Sequence, residues 1–137
     1  MSRRTCKAAL DAHLLAFSAK GMGDIAWEGV PYQPNEGRGY IAARMPAYAR
    51  QPLGVGADCV VQESGTYQIT VNRPTTEGDD FAGSLAERLV AWFARGTILV
   101  AGTGQSLVIE NASEMPAQPT GNWLSVPVVV SWICSIP

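Results

Sequence analysis

The stretch GTYQITVN at residues 65–72 limits the fold most tightly, because its side chains alternate strictly. Tyr67, Ile69 and Val71 fall on one face, and Thr66, Gln68, Thr70 and Asn72 on the other. That is the pattern of a strand with one buried and one wet face. The end of the chain repeats the signal. In NWLSVPVVVSWIC, residues 122–134, Leu124, Val126, Val128, Val130 and Trp132 share a face. Pro127 faces the other way and predicts an edge position or a bulge, since proline cannot donate to a central ladder. Strands of this kind need a second layer to cover their apolar side.

Residues 5–20 supply helical spacing, with Thr5 as a cap, Leu10, Leu14 and Phe17 as the apolar stripe, and Lys20-Gly21 as the stop. A turn at 21–24 leads into IAWEGVPYQP, residues 25–34, whose prolines predict an extended edge segment. After the break NEGRG (35–39), YIAARM (40–45) predicts a strand that stops at Pro46. Residues 46–58 predict a long irregular connection, and a strand starts near Cys59 and runs on through residue 72. A loop at 73–80 ends in acids suited to a helix N-terminus. The helix itself is 81–94, with Phe81, Leu85, Leu89 and Phe93 at successive i+4 positions. Gly83 weakens it by up to about 1 kcal/mol relative to alanine. TILVA (97–101) and QSLVIE (105–110) predict a hairpin, and 111–121 a loop. The expected fold class is α+β, a mostly antiparallel β-sheet with two α-helices packed on one face, in a single domain over residues 1–137.

Composition narrows the function classes. The 137 residues carry a net charge of −2, and the ten Lys and Arg are scattered, which leaves no basic face for nucleic acid. Apolar runs are far shorter than a membrane span, so no membrane partner is expected. Cys6, Cys59 and Cys134 are three and far apart, unlike a disulfide framework. With no secretory pattern at the start, a reducing cytoplasm is the expected compartment. A charged fraction of only 16% leaves neutral surface and hints at self-association.

Catalytic patterns are missing or explained otherwise. AGTGQS (101–106) puts Leu107 where the third glycine of G-x-G-x-x-G belongs, and a strand pattern follows it. His13 is alone on the first helix, and no paired spacing suggests a metal. Glu77, Asp79 and Asp80 cluster where a helix start needs acids. Glu28, beside Trp27, is the one carboxylate that an apolar pocket could push toward a raised pKa. No catalytic constellation, cofactor or metal is expected.

The motifs in order resemble a family. IAWEGVPYQPNEGRGYIAARM is similar to the I-A-W-E-N-V-P-F-x-P…Y-[IL] signature of phage tail terminator proteins, those related to the lambda tail terminator. G-x-Y-Q-I-T-V at 65–71, A-x-R-L-x-x-x-F at 86–93, G-T-I-L at 96–99 and the closing W-L-S-V-P-V-V-V-S-W at 123–132 follow in the family's order. Glu28-Gly29 departs from the asparagine expected before the valine, and the connection at 46–63 departs from the family pattern. The resemblance implies a structural virion protein of the tail, not an enzyme, assembled in the bacterial host cytoplasm. It implies a hexameric ring, monomeric in some relatives until it meets the tube. The ring would cap the tail tube, end its polymerisation and offer the head-tail joining surface. The implied partners are other copies of the chain, the tail tube protein and a head-completion or neck protein.

Opposite charge suggests one subunit contact, with Arg44, Arg50 and Gln51 set against Glu77, Asp79 and Asp80 of a neighbour. Two alternatives stand beside this reading. One is another neck or minor tail protein. The other is a small ligand-binding or hydrolytic domain using Glu28, His13 and the tryptophans, marked by a pocket and a raised Glu28 pKa.

Overall fold

The computed structural model describes residues 3–17, 23–34, 38–56, 59, 61–78, 80–101 and 105–136. Helix α1 (Arg3–Ala16) is followed by strands β1 (Asp24–Trp27), β2 (Tyr40–Pro52) and β3 (Val61–Pro74). A single 3-10 turn (Thr75–Glu77) leads to helix α2 (Asp80–Trp92), and then come β4 (Ile98–Ala101), β5 (Gln105–Glu114), β6 (Gln118–Thr120) and β7 (Trp123–Ile136). The sheet runs β1-β2-β3-β7-β5-β4, with β6 also on β7. Every pair is antiparallel except β1 with β2.

The expected α+β layering is corrected. The chain is mostly β, with about half of it in strands of a sheet curled into a half-barrel, and only two short helices. The difference arises in segments whose prolines and glycines read as loops. β2 does not stop at Pro46: it continues to Pro52, and the register shifts between Arg44 and Ala47, so the proline falls in a bulge where no ladder bond is needed. β5 runs on to Glu114, and β6 occupies part of the expected loop at 111–121.

Pro127 does not mark an edge, because β7 lies between β3 and β5. Its carbonyl accepts Met115 N–H at 2.7 Å. In a strand the N–H and C=O of one residue point the same way. The missing donor therefore faces the gap between β5, whose ladder ends at Glu114↔Val128, and β6, whose ladder starts at Gln118↔Ser125.

The alternating residues build the core as expected. Tyr67, Ile69 and Val71 from β3 and Val126, Val128, Val130 and Trp132 from β7 are buried. Leu10, Leu14 and Phe17 join them from the N-terminal segment, and Leu85, Leu89 and Phe93 from α2 and its exit. Each full burial of a Leu, Ile, Val or Phe contributes about 1.5–3 kcal/mol. α2 lies over β3, β7 and β5, in the middle of the order. α1 touches β2 and β4, near the two ends. The curl thus brings both ends of the sheet within reach of one helix.

α1 starts two residues before the expected cap, so Thr5 lies inside it, and it ends where Phe17 N–H turns back to the Leu14 carbonyl. Asp80 opens α2, as its acid suggested. Gly96, with φ +87°, lets the exit of α2 double back, and its N–H reaches the Ile109 carbonyl at 2.8 Å.

Candidate functional site

The segment IAWEGVPYQP resolves into a four-residue edge strand and a turn. β1 pairs parallel to β2 over Asp24↔Tyr40 to Trp27↔Ala43 and stops. Val30 N–H closes a turn on the Trp27 carbonyl at 3.1 Å, with Gly29 at φ +79°. Trp27 packs against the core. Tyr32 stacks near Tyr40, which meets Trp123 edge-on.

The turn aims Glu28 at the next stretch of β2. Met45 N–H donates to Glu28 Oε2 at 2.7 Å, and Arg3 Nη2 donates to Glu28 Oε1 at 3.2 Å. Arg3 Nη2 also donates to the Met45 carbonyl at 3.2 Å. Two side chains therefore satisfy the Met45 backbone where β1 has ended. The Met45 amide, then the Arg3 charge, hold the Glu28 carboxyl below the usual carboxylate range, against the opposing effect of burial. A general acid would need the opposite shift. Glu28 is a strand-end clasp.

His13 is equally committed. Its Nε2–H donates to the Trp92 carbonyl at 2.9 Å, and Trp92 Nε1–H donates to the His13 carbonyl at 2.7 Å. The rings stack with centroids 4.8 Å apart, and Phe93 meets the imidazole edge-on. Both nitrogen-bearing rings are spent on joining the two helix C-termini.

Inside the sheet, Glu63 is fully buried. Tyr48 Oη donates to its Oε2 at 2.6 Å, and Cys6 Sγ donates to the same oxygen at 3.6 Å. Burial, then the Glu63 carboxyl, pushes the Cys6 thiol up to about 12, and the Tyr48 phenol also reaches about 12. Burial raises Cys134 as well. These thiols are poor nucleophiles at neutral pH, because the thiolate is the reactive form. Tyr67 Oη donates to Asp11 from beneath α1, and Lys7 pairs with Asp11 at 2.8 Å. Among the described residues, no three His, Cys, Asp or Glu gather as a metal site.

The residues expected at a subunit contact are dispersed. Arg44 points outward and donates to Gln68 Oε1 at 3.2 Å. Arg50 and Gln51 are exposed near the end of β2, opposite Glu63 and Gln62 at the start of β3. Asp80 begins α2, beyond the other end of β3, and Glu77 is in the 3-10 turn. Asp79 lies outside the described residues. From Glu63 to Pro74 is most of a strand, roughly 35 Å at the rise of an extended chain. Arg50 and Gln51 therefore sit at the opposite end of the strand pair from Asp80, and Arg44, opposite Gln68, sits between them.

The reading of the sequence missed an apolar surface. Ile98 and Val100 are 63% and 68% exposed on β4, and Val108, directly opposite Ile98, is 37% exposed. Leu53 and Val55, 56% and 103% exposed, stand beyond the end of β2. Alternation in TILVA and QSLVIE carried the signal for the first group. Leu99, Leu107 and Ile109 take the inner face, which leaves Ile98, Val100 and Val108 outside.

Across residues 5–132 the chain matches the family model described as phage tail terminator protein. The chain belongs to the phage tail terminator family. This is a family of structural proteins, and it points to a component of the virion. A solved structure with 20% identity superposes at a TM-score of 0.78, covering 100% of this chain and 98% of the other, which shows the shared fold. No curated protein matches the chain. In this chain, the I-A-W-E motif is β1 and its clasp, and W-L-S-V-P-V-V-V-S-W lies in the central strand β7. Among the described residues no helix is long and apolar enough to cross a membrane.

Proposed function

We propose that the protein caps the end of the phage tail tube, ends its polymerisation and presents the surface to which the head is joined. It does so as a hexameric ring of identical subunits, and it carries no catalytic activity. The observation that carries this reading is the family match across residues 5–132. The physics is compatible with it. Glu28 and His13, the polar groups nearest to an enzyme-like arrangement, are both held in structural bonds. The surface instead offers exposed apolar side chains on β4 and β5 and beyond the end of β2. Patches of this kind mark assembly surfaces.

A closed ring joins two different surfaces of neighbouring subunits. Contact of Arg44, Arg50 and Gln51 with Glu77, Asp79 and Asp80 of a neighbour fits subunits offset along their strands. In a flatter ring the acidic end faces an axial partner instead, either the tube protein or a neck protein. The site of action is the tail end of the virion, assembled in the host cytoplasm. Polymerising tail tube protein followed by light scattering provides the test. Substoichiometric protein halts growth and fixes tube length under this reading, whereas unaltered growth at equimolar protein rules it out.

A further inference from the structure

Strand β2 has strand neighbours on both sides only as far as Ala43. β1 pairs with Tyr40 to Ala43 and stops, whereas β2 continues to Pro52 against β3 alone. From Arg44 onward the other side of β2 is a sheet edge, and its residues there are exposed except Met45 and Tyr48. Such an edge offers backbone N–H and C=O groups to any further strand, including one from a second copy of the chain.

The first of these groups beyond β1 belong to Met45. In register with Trp27↔Ala43, Gly29 would face Met45. A continued parallel ladder would send the Met45 N–H to the Glu28 carbonyl and the Val30 N–H to the Met45 carbonyl. The chain turns away instead, with Val30 N–H on the Trp27 carbonyl at 3.1 Å. Side chains take over the two positions. Glu28 Oε2 accepts the Met45 N–H at 2.7 Å, and Arg3 Nη2 donates to the Met45 carbonyl at 3.2 Å. The two side chains are paired with each other at 3.2 Å. Just beyond them, Pro46 has no N–H, and the register shift between Arg44 and Ala47 bends the strand.

We infer that the Arg3–Glu28 clasp is an edge guard, which keeps β2 of one copy from pairing with a strand of a second copy. Strand addition needs successive backbone groups along one side of the edge. The clasp occupies the first donor and the first acceptor beyond β1, and the bulge interrupts the line that follows. Charges, prolines and bulges are the means by which natural edges resist pairing. The clasp differs from the proline and the bulge in being removable. It consists of two exposed side chains from separate elements, the start of α1 and the turn after β1, so it opens without disturbing the core. The guard acts on sheet-to-sheet pairing and does not depend on the ring reading.

Sedimentation velocity over a dilution series tests it with the wild type, Arg3→Ala, Glu28→Ala, the double variant and His13→Ala. The series spans concentrations at which the wild type sediments as a single species. His13→Ala is the control, because it removes stabilising bonds between the helices and leaves the β2 edge intact. Glu28→Ala frees the Met45 N–H, and Arg3→Ala frees its carbonyl. The double variant associates about tenfold or more tightly than the wild type, the equivalent of one or two added backbone bonds. Each single variant shows a smaller gain, and His13→Ala shows none. Hydrogen exchange locates the contact: the Met45 amide exchanges faster in dilute Glu28→Ala and becomes protected as that variant associates. Clasp variants that sediment like the wild type at every concentration overturn the inference. So does association of His13→Ala to the same degree, or association that leaves the Met45 amide unprotected.

Discussion

His13 and Trp92 bind each other twice, each ring donating its N–H to the other residue's backbone carbonyl while the rings stack at 4.8 Å. The pair joins the last turn of α1 to the last turn of α2, and so ties the helix that touches β2 and β4 to the one that lies over the sheet's centre. Stacking adds about 0.5–1.5 kcal/mol beyond area burial, and each hydrogen bond about as much. His13→Ala is expected to cost about 1–3 kcal/mol. In a double-mutant cycle with Trp92→Leu, the coupling energy is expected near 1–2 kcal/mol. Denaturant titration measures it, and additive losses would mean that the pair is not a unit.

The Glu28 clasp predicts a dependence on acid. Its folded pKa is depressed below the ordinary value of 4.5, chiefly by the Met45 amide. Such a group contributes stability above its unfolded pKa and loses it as pH falls through the folded one. Glu28→Gln should therefore lower Tm at pH 7, and the gap between variant and wild type should narrow by pH 3. The partly exposed Arg3 partner keeps the effect modest. A gap that widens on acidification would contradict the assignment.

The buried thiol and phenols predict the reverse at high pH. Cys6 rises from 9.0 to about 12 and Tyr48 from 10.0 to about 12. Near neutral pH both forms of the protein hold these protons. From about pH 8 the unfolded chain releases them first, so stability falls as pH climbs toward 12. Cys6→Ala costs core packing at every pH but should flatten the decline in Tm between pH 8 and 10.5. An equally steep decline in the variant would remove Cys6 from the account.

Gly65 and Gly83 should respond in opposite ways to alanine. A Cβ on Gly65 would meet the Ala47 carbonyl oxygen at 2.3 Å and Trp132 at 3.0 Å, where the bulged β2 crosses close to β3. Gly65→Ala is expected to destabilise by about 1–3 kcal/mol through overpacking. A Cβ on Gly83 meets nothing within 4 Å. Gly83→Ala in α2 should stabilise by about 0.5–1 kcal/mol. Thermal melts of the two variants decide this directly.

Periodic elements were legible in the sequence because period alone sets which side chains face inward. Tyr67, Ile69 and Val71, the face of β7, and the stripe of α2 are core residues as their spacing indicated. Local composition misled where tertiary pairing absorbs an awkward residue. Pro46 sits in a bulge and Pro127 beside a gap in the ladder, so neither interrupts a strand. Glu63 shares the inward parity of Tyr67, a signal present in the sequence. Its partners Tyr48 and Cys6, however, are brought to it only by β2 pairing and α1 docking.

Capping of the tail tube is the central claim, and electron microscopy of tubes incubated with the protein tests it most directly. The account predicts added density at one end of each tube, ring-like and six-fold when viewed along the axis. Tubes with bare ends, or protein spread along their length at saturating concentration, would contradict it.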